Sequence, residues 1–134
     1  MIQFTIQGEP QGKSRPRFNR STGTAYTPKE TKEYEKKVAE SCRSACRGVM
    51  YHGAVSVAVT AYYGVPKSAP KSAQMAMLDD TRRPQKKPDI DNVVKVVLDG
   101  MTGVMFEDDK QVVSIVAAKF YAIEPKVVII VDEV

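Results

Sequence analysis

The sequence predicts an α+β fold, a small mixed or antiparallel sheet packed with about three helices, in a single domain spanning residues 1–134. Three observations carry this. Apolar residues alternate with polar ones over residues 2–7 and 54–63, the two-residue period of a half-buried strand. They recur at helical spacing over residues 28–47 and 91–101. A chain of 134 residues with 43% apolar and 27% charged residues can bury one core and has the ordinary globular mix.

The first strand carries Ile2, Phe4 and Ile6 and ends at Gly8 and Pro10. A Gly/Pro/Ser/Thr-rich loop follows to Pro28, bearing Lys13, Arg15, Arg17 and Arg20. Thr27, Pro28 and Glu30 are spaced as a capping box opening a helix that runs to about Arg47 and stops at Gly48. Its apolar face is Tyr34, Val38, Ala39, Cys42, Ala45 and Cys46, with the two cysteines expected as buried thiols. A strand at 54–63 ends at Gly64 and Pro66, and residues 68–79 suit a short helix after Ser68 or Ala69. Residues 81–88 form a polar connector.

Residues 93–97 are valine-rich, which favours a strand, yet Val93, Val94, Val97, Leu98 and Met101 share one helical face. The pattern predicts a helix from about 91 to 101, with Asp89 or Asp91 at its cap and Gly100 or Gly103 at its stop. After the turn at Glu107-Asp108-Asp109, residues 111–121 and 126–132 read as two antiparallel strands joined at Glu124-Pro125.

No apolar run approaches the roughly 20 residues of a membrane span, and no signal-like segment opens the chain, so a cytoplasmic protein with no membrane partner is expected. His52 and two cysteines do not make a zinc cluster. The net charge of +4 is unevenly spread. Residues 1–64 hold ten Lys/Arg against five Asp/Glu, residues 65–87 six against two, and residues 88–134 four against nine. The basic part suits phosphate neutralisation. The acidic part contradicts a protein that merely coats DNA, since carboxylates repel that ligand.

Asp89 and Asp91 are two residues apart, and Lys95 and Asp99 continue the same helical face. With Asp108 and Asp109 they offer three or four carboxylates, whose mutual repulsion a hard divalent cation with oxygen ligands relieves. Such a metal activates water and neutralises charge on an attacked phosphate, while Lys95 could meet the transition state. The plain alternative is helix capping by the aspartates and a surface Lys95–Asp99 pair. A P-loop over residues 8–14 is one residue too short and runs into Arg15-Pro16. An EF-hand fails at Val93 and Val94, and a phosphatase-type Asp-x-Asp would follow a buried apolar strand, not a basic connector. Lys13, Arg15, Arg17 and Arg20, and Arg82, Arg83, Lys86 and Lys87 beside the acids, suit contact with a DNA backbone.

Lys87-Pro-Asp89-Ile-Asp91-Asn92-x-x-Lys95-x-x-x-Asp99-Gly100, then Asp108-Asp109-x-Gln111-Val112, closely resembles RusA-type Holliday junction resolvases. The early Gly-x-Pro-x-x-Lys13-x-Arg15-Pro16-Arg17 matches the same family, so the resemblance spans residues 2 to about 121. It implies a homodimeric, Mg²⁺-dependent endonuclease, with Mn²⁺ as a substitute and no organic cofactor, that cuts four-way DNA junctions by paired nicks. By position, Asp89, Asp91 and Asp109 resemble the family's catalytic, metal-binding acids and Lys95 its essential lysine. Asp108 could share the metal role, and Asp99 fits a structural one. A bacterial or phage source is expected. A non-catalytic DNA-structure binder, or a related nuclease acting on RNA or other branched DNA, are the alternatives.

Overall fold

A computed structural model describes all 134 residues. Strand β1 (Ile2–Gln7) leads into a small hairpin, β2 (Arg17–Asn19) with β3 (Thr24–Tyr26). Helix α1 (Lys29–Cys46), strand β4 (Val55–Gly64), helix α2 (Lys71–Leu78) and helix α3 (Ile90–Met101) follow. A single 3-10 turn, Asp109–Gln111, precedes β5 (Val112–Ala122) and β6 (Lys126–Glu133). No helix is long and apolar enough to cross a membrane.

The expected α+β class holds, with three helices and a four-stranded mixed sheet in the order β1-β6-β4-β5. β6 runs antiparallel to both β1 and β4, and β5 runs parallel to β4. The two antiparallel strands expected over 111–121 and 126–132 are present and run in opposite directions, but they do not pair with each other, because β4 lies between them. β4 takes the centre because its alternate row, Val55, Val57, Val59, Ala61 and Tyr63, is apolar throughout and can be fully buried.

Helices α1 and α3 cross each other, α1 packing on β1 and α3 on β4 and β5. Their buried residues join the sheet in one core that includes Val38, Cys42, Val93, Val97, Ile129 and Val131. Both cysteines are free and buried, as expected. Three valines of α3 (Val93, Val96, Val97) are wholly buried, each worth about 1.5–3 kcal/mol relative to exposure. That outweighs the few tenths of a kcal/mol by which valine disfavours a helix, so packing overrides strand propensity. Val96, outside the expected apolar face, is buried because α3 is covered from two sides, by α1 and by the sheet.

Local details differ at the ends. Pro28, not Thr27, is the residue before α1, and no side chain caps that end, so the capping box does not form. The helix closes as expected, with Arg47 left-handed at φ 50° and Gly48 at φ 82°. The basic loop contains the β2–β3 hairpin, which is exposed along its length and so left no periodic trace in the sequence.

Candidate active site

The cleft of interest lies where α3 begins. Asp89 is the cap residue of α3, in extended conformation, yet its side chain makes no capping hydrogen bond, and Asp91 sits in the first turn. Both are exposed. Their carboxylates are thus not consumed by capping, and the positive end of the helix dipole favours them where they are. Just before them, the buried Tyr63 hydroxyl at the end of β4 donates to the Pro88 carbonyl at 2.5 Å and ties this turn to the sheet. Burial, with the charges of Asp89 and Glu9 beside it, pushes the Tyr63 phenol up to about 12, so it remains a donor.

The loop after β1 docks on the same place. Lys13 N–H donates to the Asn92 carbonyl at 2.9 Å. Gly12 lies so close that a Cβ there would sit 2.9 Å from the Cβ atoms of both Asn92 and Pro88. Glycine is what lets the loop approach α3. The result is a cleft of about 670 Å³ lined by Gln11 through Arg15, Lys87 through Asp89, and Asn92, with no hydrophobic side chain in its wall. Two segments separated by 71 residues of chain, one carrying Lys13 and Arg15 and the other Lys87 and Asp89, share this cleft.

Lys13 differs from its neighbours. Its ammonium bonds to Glu35 on α1 and lies 3.1 Å from Asp99 on α3. Burial lowers its pKa, but the hydrogen bonds and charges of Glu35 and Asp99 more than offset that and raise it. The ammonium is committed to bracing the loop against both helices. Asp99, expected as structural, has that part, and it pairs with Lys13 rather than with Lys95.

Comparison with known proteins matches residues 7–132 to the family model described as endodeoxyribonuclease RusA. The chain belongs to the RusA endodeoxyribonuclease family. It is also 35% identical over 141 residues to "Uncharacterized protein YqaN" of Bacillus subtilis (strain 168), covering 99% of this chain and 96% of that one. The RusA match spans both walls of the cleft, so the family signature and the polar cavity coincide.

The remaining sequence-predicted residues fall in three places. Lys95 is exposed one turn beyond Asp91 on α3. Arg17 is on the exposed β2–β3 hairpin and Arg20 in its turn, with Arg15 in the loop leading to it. Arg82, Arg83 and Lys86 line a second polar hollow with Gln85 and Tyr121, and Lys87 reaches the main cleft. Arg83 is held: it donates to the Lys119 carbonyl at 2.6 Å, with its guanidinium 3.7 Å above the Phe120 ring.

Asp108 and Asp109 do not join Asp89 and Asp91. They stand at the far end of α3, a 12-residue helix about 18 Å long. The turn there is anchored near the start of β4, where the Gln111 amide donates to the carbonyls of Tyr51 and Gly53 at 2.9 and 3.0 Å. Asp108 accepts from the Lys110 N–H at 2.9 Å, which holds its carboxyl below the usual range. It serves as the cap of this turn. Within the chain no group of three or more His, Cys, Asp or Glu side chains is arranged to hold a metal ion. Two carboxylates at the start of α3 match the oxygen donors a Mg²⁺ ion prefers, but a three-carboxylate set does not fit one chain.

Sequence reasoning passed over Gln11, Ser14 and Asn92 as cleft residues. Asn92 carried a signal, since it sits inside the Asp-Ile-Asp-Asn motif. Gln11 and Ser14 carried none.

Proposed function

We propose that this protein is a Mg²⁺-dependent endonuclease that cuts branched DNA, the four-way junction foremost, working as a homodimer. The observation that supports the reading most is the polar cleft in which the basic loop meets the start of α3 that carries Asp89 and Asp91, within a chain of the RusA family. Asp89 and Asp91 are the residues to hold the metal; Asp109 stands beyond the far end of α3 and does not reach them within this chain, and Asp108 is engaged as a cap. A metal there would supply an activated water and neutralise charge on the scissile phosphate.

The chain's own residues do the rest. Arg15 at the cleft mouth, with Arg17 and Arg20 on the hairpin, holds the DNA backbone and sets the scissile phosphate against α3. Lys95, one turn beyond Asp91, brings an ammonium to the nonbridging oxygen as negative charge grows on it. The Tyr63 bond to Pro88 and the Lys13 brace fix the two walls in register. None of these contacts reads bases, so selection of a junction rests on shape, with a two-fold protein matched to a two-fold substrate.

Preferential nicking of a synthetic mobile four-way junction over a linear duplex of the same sequence tests this reading; equal cutting of both would remove the junction from it. Arg15→Ala combined with Arg17→Ala weakens junction binding and lowers the slope of log K against log salt by about 2, one for each phosphate no longer neutralised. A titration in 50–200 mM salt checks this, and an unchanged slope would remove these arginines from the interface.

A further inference from the structure

The chain has four phenylalanines, and three of them are covered. Phe4 and Phe106 lie in the core, and Phe120 stacks on Tyr62 at 5.9 Å with the Arg83 guanidinium above its ring. Phe18, in the middle of β2, is 65% exposed. Its partner across the hairpin is Ala25, whose methyl group is too small to shelter a ring. The neighbouring pairs, Arg17 with Tyr26 and Asn19 with Thr24, point to the opposite face, as residues one step along a strand must. Phe18 thus has no large apolar neighbour on its own side of the hairpin.

The surroundings of Phe18 are basic and ordered. Residues 10–28 carry four cations, Lys13, Arg15, Arg17 and Arg20, and no carboxylate. The turn after Phe18 is tied: the Asn19 side chain accepts from the N–H groups of Ser21 at 2.9 Å and Thr22 at 3.4 Å. The Asn19 carbonyl accepts from Gly23 at 2.8 Å, with Gly23 itself left-handed at φ 68°. An uncovered ring set among cations suits a polyanion that also offers flat apolar faces, which describes a nucleic acid. The root of the hairpin is fixed in the cleft by the Lys13 N–H on the Asn92 carbonyl, and Arg15 lines that cleft. Phe18 is three residues beyond Arg15, at most about 10 Å of extended chain, or roughly three base steps of duplex.

We propose that Phe18 stacks on a base at the branch point of the junction, and that this contact selects branched over continuous DNA. The proposal rests on the nuclease reading above for its ligand. Inside a continuous duplex every base pair is stacked on both sides, and a ring enters only by unstacking a step. At a branch point the stack is interrupted where strands change partners, so the ring meets an open face without that cost. Arg17 and Arg20, on either side of Phe18 in the chain, take phosphates and bring the ring to the bases. Stacking reads no sequence, because every base has a flat face. It gives the selection of shape a side chain of its own.

Binding of the full-length protein, measured in a chelator to prevent cutting, tests this. Phe18→Ala lowers affinity for a four-way junction by about 5- to 150-fold, the usual worth of one stacked base, and leaves affinity for linear duplex within a factor of about two. The slope of log K against log salt stays as in the parent, since a ring releases no counterion. Phe18→Val, which keeps strand propensity without a ring, behaves like the alanine variant, and Phe18→Trp binds as the parent does. A 2-aminopurine base at the branch point changes its emission when the parent binds but not when Phe18→Ala binds, and the same probe in mid-arm responds to neither. Equal losses on junction and duplex, a lowered salt slope, or alanine and valine variants that bind junctions as tightly as the parent would overturn the proposal. A parent with no preference for the junction would do so too. A parent that alters the branch-point probe but never nicks in Mg²⁺ would defeat the nuclease reading and leave the stacking contact standing.

Discussion

Asp91→Asn lowers the nicking rate on a four-way junction by at least about 100-fold while junction affinity stays within a factor of two, the signature of a group that acts only in the chemical step. The substitution keeps the shape of the side chain and removes its charge. Asp91 is exposed in the first turn of α3 and supports no neighbour, so the fold has little reason to respond. Binding should hold or tighten slightly, since one negative charge facing the DNA is gone. Single-turnover cleavage alongside a gel-shift titration separates the two quantities. A variant that cuts as fast as the parent would show that Asp91 belongs to the helix rather than to a metal site.

Gly100→Ala produces the largest loss of stability expected from a change of one methyl group. A Cβ at Gly100 would lie 2.6 Å from the Cβ of Val38 and 2.9 Å from the Glu35 backbone carbonyl oxygen, at the crossing of α1 and α3. Alanine would otherwise gain helix propensity over glycine, by somewhat less than about 1 kcal/mol. Overpacking of this kind costs about 1–3 kcal/mol, and here the obstacle is partly backbone, so the clash wins. Thermal unfolding should fall by several degrees. Because Lys13 bridges Glu35 and Asp99, prying the helices apart also loosens the loop that forms one wall of the cleft. An unchanged or raised melting temperature would mean that α1 and α3 are not packed as closely as described.

Patterns within a single element were legible in the sequence. The alternation of β1 and β4 and the two faces of α3 follow from which residues can be buried, and burial is a property of the local string. What failed depended on partners distant in the chain. That β4 comes between β5 and β6 is set by competition among strands for the centre of a sheet, and no turn signal at Glu124-Pro125 reveals it. Lys13 looked like one more cation in a basic loop because its partners, Glu35 and Asp99, lie on two other elements.

The acids teach the same lesson in reverse. Asp89-x-Asp91 and Asp108-Asp109 are close in sequence, with a short loop after α3, which suggested that they share a point in space. A helix of 12 residues intervenes, however, and a rigid rod holds its ends apart. Sequence proximity cannot report that separation. The meeting of the early basic loop with the start of α3 was legible only because both belong to one family signature, now matched over residues 7–132.

The central claim, a metal-dependent junction nuclease, is tested most directly by incubating the unmodified protein with an end-labelled mobile four-way junction, with Mg²⁺ and with a chelator. The account predicts paired nicks on strands of like polarity with Mg²⁺, none with the chelator, and junction binding in both. Binding without any cleavage in Mg²⁺ or Mn²⁺, or cleavage that persists in the chelator, would contradict it.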